Sequence, residues 1–178
     1  VNRRLLHTGP PLGTLAHHGF ELSAGVGLVF QPYLGLPGSL ALWGTALPAW
    51  VVFAVGPERL LLRDPLLAAL AGTSLAGALI HFVLWPVGRR RGLPVLLEAE
   101  GLPAGAMPAY NAILYGWALS ALAALVLGTP RGSRRWALLG LATGLPLRAS
   151  ARHHFEWLAE AARRQPAWWN RAAVPAER

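Results

Sequence analysis

Apolar runs of membrane-crossing length, punctuated by proline and glycine, organise the chain. No charged residue occurs in the 36 positions between Glu21 and Glu58. A helix needs about 20 apolar residues to cross the hydrocarbon core, so this stretch is too long for one crossing. Pro32, Gly35, Pro37 and Gly38 interrupt it, and such residues mark turns. The pattern predicts a tight helical hairpin, with span one over residues 14–31 and span two over 39–55, ended by Gly56-Pro57. Residues 58–64 read as a short loop with charges of both signs.

Span three is predicted over 65–85, with Pro65 in its first turn and His81 as its only ionisable residue. Pro86-Val87-Gly88 and Arg89-Arg90-Arg91 close it. Residues 92–107 contain Pro94, Glu98, Glu100, Gly101, Pro103 and Gly105, a stretch too polar to cross and too apolar for an ordinary loop. A short interfacial helix around 95–100, or a re-entrant segment, is expected there. Span four covers 108–128 without a charge. Span five starts near Trp136 and has only twelve charge-free residues, 136–147. Pro146 is expected to kink it, with the helical pattern continuing through Arg148, Arg152, His153, His154 and Glu156. The predicted class is all-α: a polytopic membrane bundle of about five transmembrane helices. It forms one domain over 1–162, followed by an interfacial or polar tail over 163–178, where Trp168-Trp169 suit a membrane–water boundary.

Composition agrees with a bilayer setting. Apolar residues make up 54% and charged ones 13%, with a mean hydropathy of +0.40, whereas soluble domains carry about a quarter charged residues. The absence of cysteine excludes disulfides, thiolate nucleophiles and cysteine-ligated metals. All sixteen basic residues are arginine, which excludes Schiff-base lysine chemistry and a phosphate-loop lysine. Lysine-free usage rich in Ala, Leu, Gly and Arg is associated with high-GC bacteria, so the expected location is a bacterial cell membrane, with multiple passes. Residues 1–13 lack the apolar core of a secretory signal, and none is expected. The net charge of +8 has two readings. Nucleic-acid binding needs a basic soluble platform with polar readout residues, which this chain lacks, so the arginines read as anchors to anionic headgroups. Expected partners are membrane lipids and a hydrophobic small molecule, with homo-oligomerisation open and nucleic acid excluded. The arginines give no consistent orientation under the positive-inside rule.

The chemistry lies in polar groups placed where lipid is expected. An ionisable side chain at the bilayer centre costs about 2.5–3.5 kcal/mol on insertion scales, and Glu21 sits a third of the way into span one. His17 and His18 precede it by four and three residues and so reach its carboxylate on one helical surface. A carboxyl tuned between burial and a cationic neighbour suits proton transfer near neutral pH. The alternative is two histidines at the headgroups and a structurally paired acid. His81, with Ser74 and Trp85 on its side of span three, either shares a cavity with Glu21 or bonds a neighbouring helix.

Span four carries Tyr110, Asn111, Tyr115 and Trp117 in its first half. Tyr110 and Trp117 fit an interfacial aromatic belt. Asn111 and Tyr115 share a face, and a buried amide there either steers a substrate or locks two helices. Arg148, Arg152 and Glu156 recur every four residues, as on a solvated helix face. Inside the bundle, the two arginines would instead clamp a phosphate or carboxylate headgroup. Ser23/Gly27, Gly72/Ala76 and Gly116/Ser120 have the small-xxx-small spacing that permits close helix approach.

Three functions compete. The first is an intramembrane enzyme acting by acid–base catalysis on an isoprenoid or lipid, without a cofactor. Its catalytic candidates are Glu21, His17, His18 and His81. Its substrate-binding candidates are Asn111, Tyr115, Trp43, Trp50, Trp117, Arg148 and Arg152. Tryptophan faces stabilise cations, which suits isomerisation or cyclisation through a carbocation. The second is a metal or haem protein using His17, His18, His81, His153, His154, Glu21 and Glu156, ligand types compatible with zinc, iron or copper, although no HExxH motif occurs. The third is a non-catalytic subunit or a transporter, and transporters commonly carry internal repeats that this sequence does not display. The few buried polar groups favour the enzyme.

Overall fold

The computed structural model of the chain describes residues 2–56 and 62–173. It is mostly helical. After a short α1 (Arg3–Leu6), α2 (Gly9–Ala24) starts on Pro10 and Pro11, in positions that need no backbone N–H. It stops where Gly25 takes a left-handed φ of 92°, a conformation that glycine adopts without a Cβ clash. The first reversal therefore falls at residues 25–30 rather than in the predicted 32–38 region. Pro32 instead occupies the first turn of α3 (Gln31–Val55), so it begins this helix rather than breaking it. Gly35, at φ 64° and ψ 175°, kinks α3 near its start. Glu21 thus ends up in a helix of only 16 residues, shorter than the roughly 20 needed to cross.

α4 (Arg63–Leu84) and α5 (Met107–Ala123), extended by the π turn Ala124–Gly128, fall where spans three and four were predicted. Among the described residues, three helices are long and apolar enough to cross a membrane: Gln31–Val55, Arg63–Leu84 and Ala104–Gly128. Their outer faces expose Val52, Val83 and Leu119, surfaces more at home in lipid than in water. The predicted fifth segment is divided into a 3-10 turn (Arg131–Trp136), α6 (Ala137–Ala142) and α7 (Gly144–Arg164). The break falls at Thr143, and Pro146 lies in the first turn of α7, where it is tolerated. Most of the loop predicted at 58–64, and Pro57 before it, lie outside the described residues, as does the tail from 174 onward.

Between α4 and α5 the chain forms a β-hairpin, not the predicted interfacial helix. β1 (Val87–Arg90) pairs antiparallel with β2 (Leu93–Leu96). Arg91 and Gly92 take φ of 51° and 83°, the paired left-handed residues of a tight hairpin turn. Pro94, unsuited to a helix interior, is accommodated in a two-stranded sheet where both strands are edges.

Small residues set the helix contacts. A Cβ on Gly72 would come 2.3 Å from the Ala137 carbonyl, and one on Gly140 would come 1.9 Å from that of Ala69, so α4 and α6 touch backbone to backbone. Gly13 lets α2 lie against Trp117 of α5. Gly116 faces open space, whereas Ser120, its predicted packing partner, lies against Gly9 of α2. The tail folds back onto the bundle. Asn170 is buried, and the Ala172 N–H donates to the Gly25 carbonyl at 3.2 Å. The Arg171 guanidinium donates to the carbonyls of Ser23 and Ala24, placing a cation at the negative end of α2.

Candidate active site

A cavity of about 420 Å3 is walled by residues of α2, α3, α4 and α7. Leu47, Phe53, Leu66, Leu70 and Ile80 make much of its wall apolar, with Trp43 and Trp50 beside them. Thr14, His17 and Glu21 are the buried polar face of α2, three and four residues apart, and all three line it. From α4 come Ser74 and His81, two helical turns apart on the face turned inward. Glu100 enters from the loop after β2.

The two carboxyls meet at one phenol. Tyr110 Oη lies 2.8 Å from Glu21 Oε1 and 3.0 Å from Glu100 Oε1, and all three groups are buried. A phenol has one proton to donate, and an ionised carboxylate can only accept. If both contacts are hydrogen bonds, one carboxyl must be protonated and donate to the tyrosine oxygen. Burial and the neighbouring Glu21 carboxyl hold Glu100 well above the usual carboxylate range, so Glu100 is a candidate holder of that proton.

Histidines surround this pair. His17 Nε2 is 3.2 Å from Glu21 Oε1, and His18 Nδ1 is 3.5 Å from Glu21 Oε2, too poorly aligned for a hydrogen bond. His81 Nδ1 lies 2.9 Å from the Gly77 carbonyl. A carbonyl only accepts, so Nδ1 carries a hydrogen. In the neutral ring this leaves Nε2 as an acceptor, 3.5 Å from Glu100 Oε1 and 3.9 Å from Glu21 Oε1. One ligand atom each of His17, Glu21 and His81 lies within 4.8 Å of the others, close enough to be considered as metal ligands.

Glu100 is held in an unfavourable backbone conformation. Its φ is 57°, and a non-glycine residue in such a region costs of order 1–3 kcal/mol. The next residue, Gly101, has a φ of 73° and packs so closely on the Ala172 carbonyl that a Cβ would come within 2.2 Å. The returning tail therefore touches both acid-bearing segments, through Arg171 on the end of α2 and Ala172 beside Gly101.

The other predicted residues divide. Trp43, Trp50 and Trp117 line the cavity. Trp43 packs on His18 at 4.4 Å, while Trp117 stacks on His17 at 4.8 Å and donates Nε1–H to Ser74 Oγ at 2.5 Å. Asn111 and Tyr115 do not line it. The Asn111 amide bonds both backbone groups of Leu96 and the Met107 carbonyl, and the Tyr115 hydroxyl bonds the Pro94 carbonyl, so both fasten the hairpin to α5. Arg148 and Arg152 are exposed with Glu156, forming the solvated stripe and not an interior clamp. His153 is exposed and packs on Tyr33 outside the cavity, so of the second His-His pair only His154 reaches the cavity that His17 and His18 line.

Sequence reasoning missed Glu100 and Tyr110 as site residues. Tyr110 shares the i, i+7 line with Trp117, which places both on one face, but that spacing also fits an interfacial belt. Nothing local marks Glu100 against its exposed neighbour Glu98. No family model, curated protein or solved structure matches this chain.

Proposed function

We propose that the protein is an integral membrane enzyme that moves protons on a hydrophobic isoprenoid or lipid, isomerising or cyclising it through a carbocation. It would sit as a multi-pass bundle in a bacterial cell membrane, crossed by the three long apolar helices. The observation that carries this reading is the Glu21–Tyr110–Glu100 arrangement in the wall of a largely apolar cavity. Two carboxyls whose environments differ supply an acid and a base in one chamber.

For isomerisation, protonated Glu100 delivers its proton to an alkene carbon, and the π pair forms the new C–H bond. Trp43 and Trp50, both lining the cavity, offer ring faces to the resulting cation. Glu21 accepts a proton from the adjacent carbon, whose C–H pair becomes the new double bond. Glu21 then donates to Tyr110 Oη while the phenol proton passes to Glu100, restoring the starting state. No co-reactant is consumed. The test is to incubate purified protein with a membrane lipid extract in deuterated water and follow deuterium entering lipids by mass spectrometry. Labelling by the wild type that is absent with Glu21→Gln supports the proposal, and equal labelling by both proteins contradicts it.

A second reading rests on the convergence of His17, Glu21 and His81. Two imidazoles and a carboxylate form a ligand set suited to zinc or iron. A stoichiometric metal in purified wild type, lost in His81→Ala together with labelling, favours this metal reading. Full labelling by metal-free protein rules it out.

A further inference from the structure

The cavity has a second polar feature away from the carboxyls. His154 of α7 lines it and is 2% exposed, yet among the described residues neither ring nitrogen has a hydrogen-bond partner. The Gly27 backbone lies beside the ring without forming a bond of normal geometry to either nitrogen. Phe155 at 5.2 Å and Trp157 at 6.4 Å pack against the ring, among aromatic and apolar neighbours. Burying a polar pair with nothing to bond is unfavourable, and native proteins rarely leave such groups unpaired without a reason. A fully buried imidazole with no carboxylate partner is neutral. It then offers one donor and one acceptor. A ketone, ether or carboxylate uses only the donor. A hydroxyl can use either one, accepting from the N–H or donating to the bare nitrogen.

We infer that His154 is a substrate-binding residue and that the molecule occupying the cavity is an apolar compound bearing a hydroxyl group. This rests on reading the cavity as a substrate chamber. The carboxyl cluster would then act on the hydrocarbon part while His154 anchors the alcohol, fixing which carbon meets the acid. A cavity of about 420 Å3 falls within the usual size range for small-molecule sites.

The test compares farnesol with farnesene, its hydrocarbon counterpart, as radiolabelled probes in equilibrium binding to the purified full chain in detergent. The expected result is that farnesol binds more tightly than farnesene. His154→Phe should lose about tenfold in farnesol affinity, the scale of one hydrogen bond, with farnesene unchanged. His154→Gln, which keeps a donor and an acceptor, should retain the preference for farnesol. Equal binding of the two probes, equal losses in His154→Phe, or no binding of either overturns the inference. Arg148→Gln, on the exposed face of α7 away from the cavity, should bind farnesol as the wild type does. Binding and labelling are separate readouts, so a failure of the catalytic proposal leaves this binding result intact, and a failure here leaves the deuterium test intact.

Discussion

Glu21 and Glu100, from segments nearly eighty residues apart in the chain, lie on either side of the Tyr110 oxygen, at 2.8 Å and 3.0 Å. Shared hydrogen bonding at this oxygen needs a proton on one carboxyl, because a phenol cannot donate to both. The pair is thereby divided into an acid and a base by geometry that neither helix creates alone. α2 brings one carboxyl, the loop after the hairpin brings the other, and α5 supplies the hydroxyl between them.

Removing either carboxyl should stop chemistry without unfolding the bundle. Glu21→Gln and Glu100→Gln keep the side-chain shape but cannot exchange the proton, and acid–base groups contribute about 10²–10⁴-fold to rate. The expected outcome is a loss of deuterium incorporation on that scale, with thermal unfolding in detergent nearly unchanged.

The Tyr110 hydroxyl should be coupled to Glu100. Tyr110→Phe leaves two buried carboxyls without their shared donor, and an unsatisfied buried polar group costs about 1–3 kcal/mol. Stability should fall by that amount in the wild-type background and by less in Glu100→Gln, where the buried acid is already gone. A double-mutant cycle measured by thermal or denaturant unfolding reads this coupling.

Stability should decline on the alkaline side because of Glu100. Its carboxyl is raised well above the reference value of 4.5 by burial and by Glu21, so the folded state holds a proton that the unfolded chain releases. The stabilising contribution is complete below the unfolded value and is lost as pH rises through the folded one. Glu100→Gln should remove this part of the pH dependence of the unfolding midpoint. Identical pH profiles for both proteins would show that Glu100 does not carry it.

Asn111→Ala should act on the hairpin, not on ligand affinity. It removes the partners of the Leu96 N–H and carbonyl, each about 1–3 kcal/mol if left buried and unpaired. The expected result is reduced stability and slower labelling, because the strand that leads to Glu100 is no longer fastened to α5. Farnesol affinity should change little, whereas a residue touching substrate would weaken it.

The sequence made much of this architecture legible because lipid-length apolar runs and proline or glycine boundaries are local signals. They located α4 and α5 and the helix pair α2–α3. The i, i+4 spacing of His17 and Glu21 likewise placed both on one face. The displaced reversal shows the limit of such signals, since Pro32 can begin a helix as well as end one, and only the Gly25 backbone decides. The hairpin was misread because Leu93–Leu96 is too short for periodicity to separate strand from helix. Glu100 was hidden for a different reason. Its burial depends on the Asn111 bonds, the left-handed backbone at Glu100 and Gly101, and the tail contact at Ala172, all made across distant parts of the chain.

The shared proton can be observed by infrared spectroscopy of the purified protein near neutral pH. A carbonyl stretch of a protonated carboxylic acid should be present, shift in deuterated water, disappear in Glu100→Gln and move in Tyr110→Phe. A spectrum in which Glu100→Gln leaves the protonated-acid region unchanged would contradict the assignment of a shared proton to Glu21, Tyr110 and Glu100.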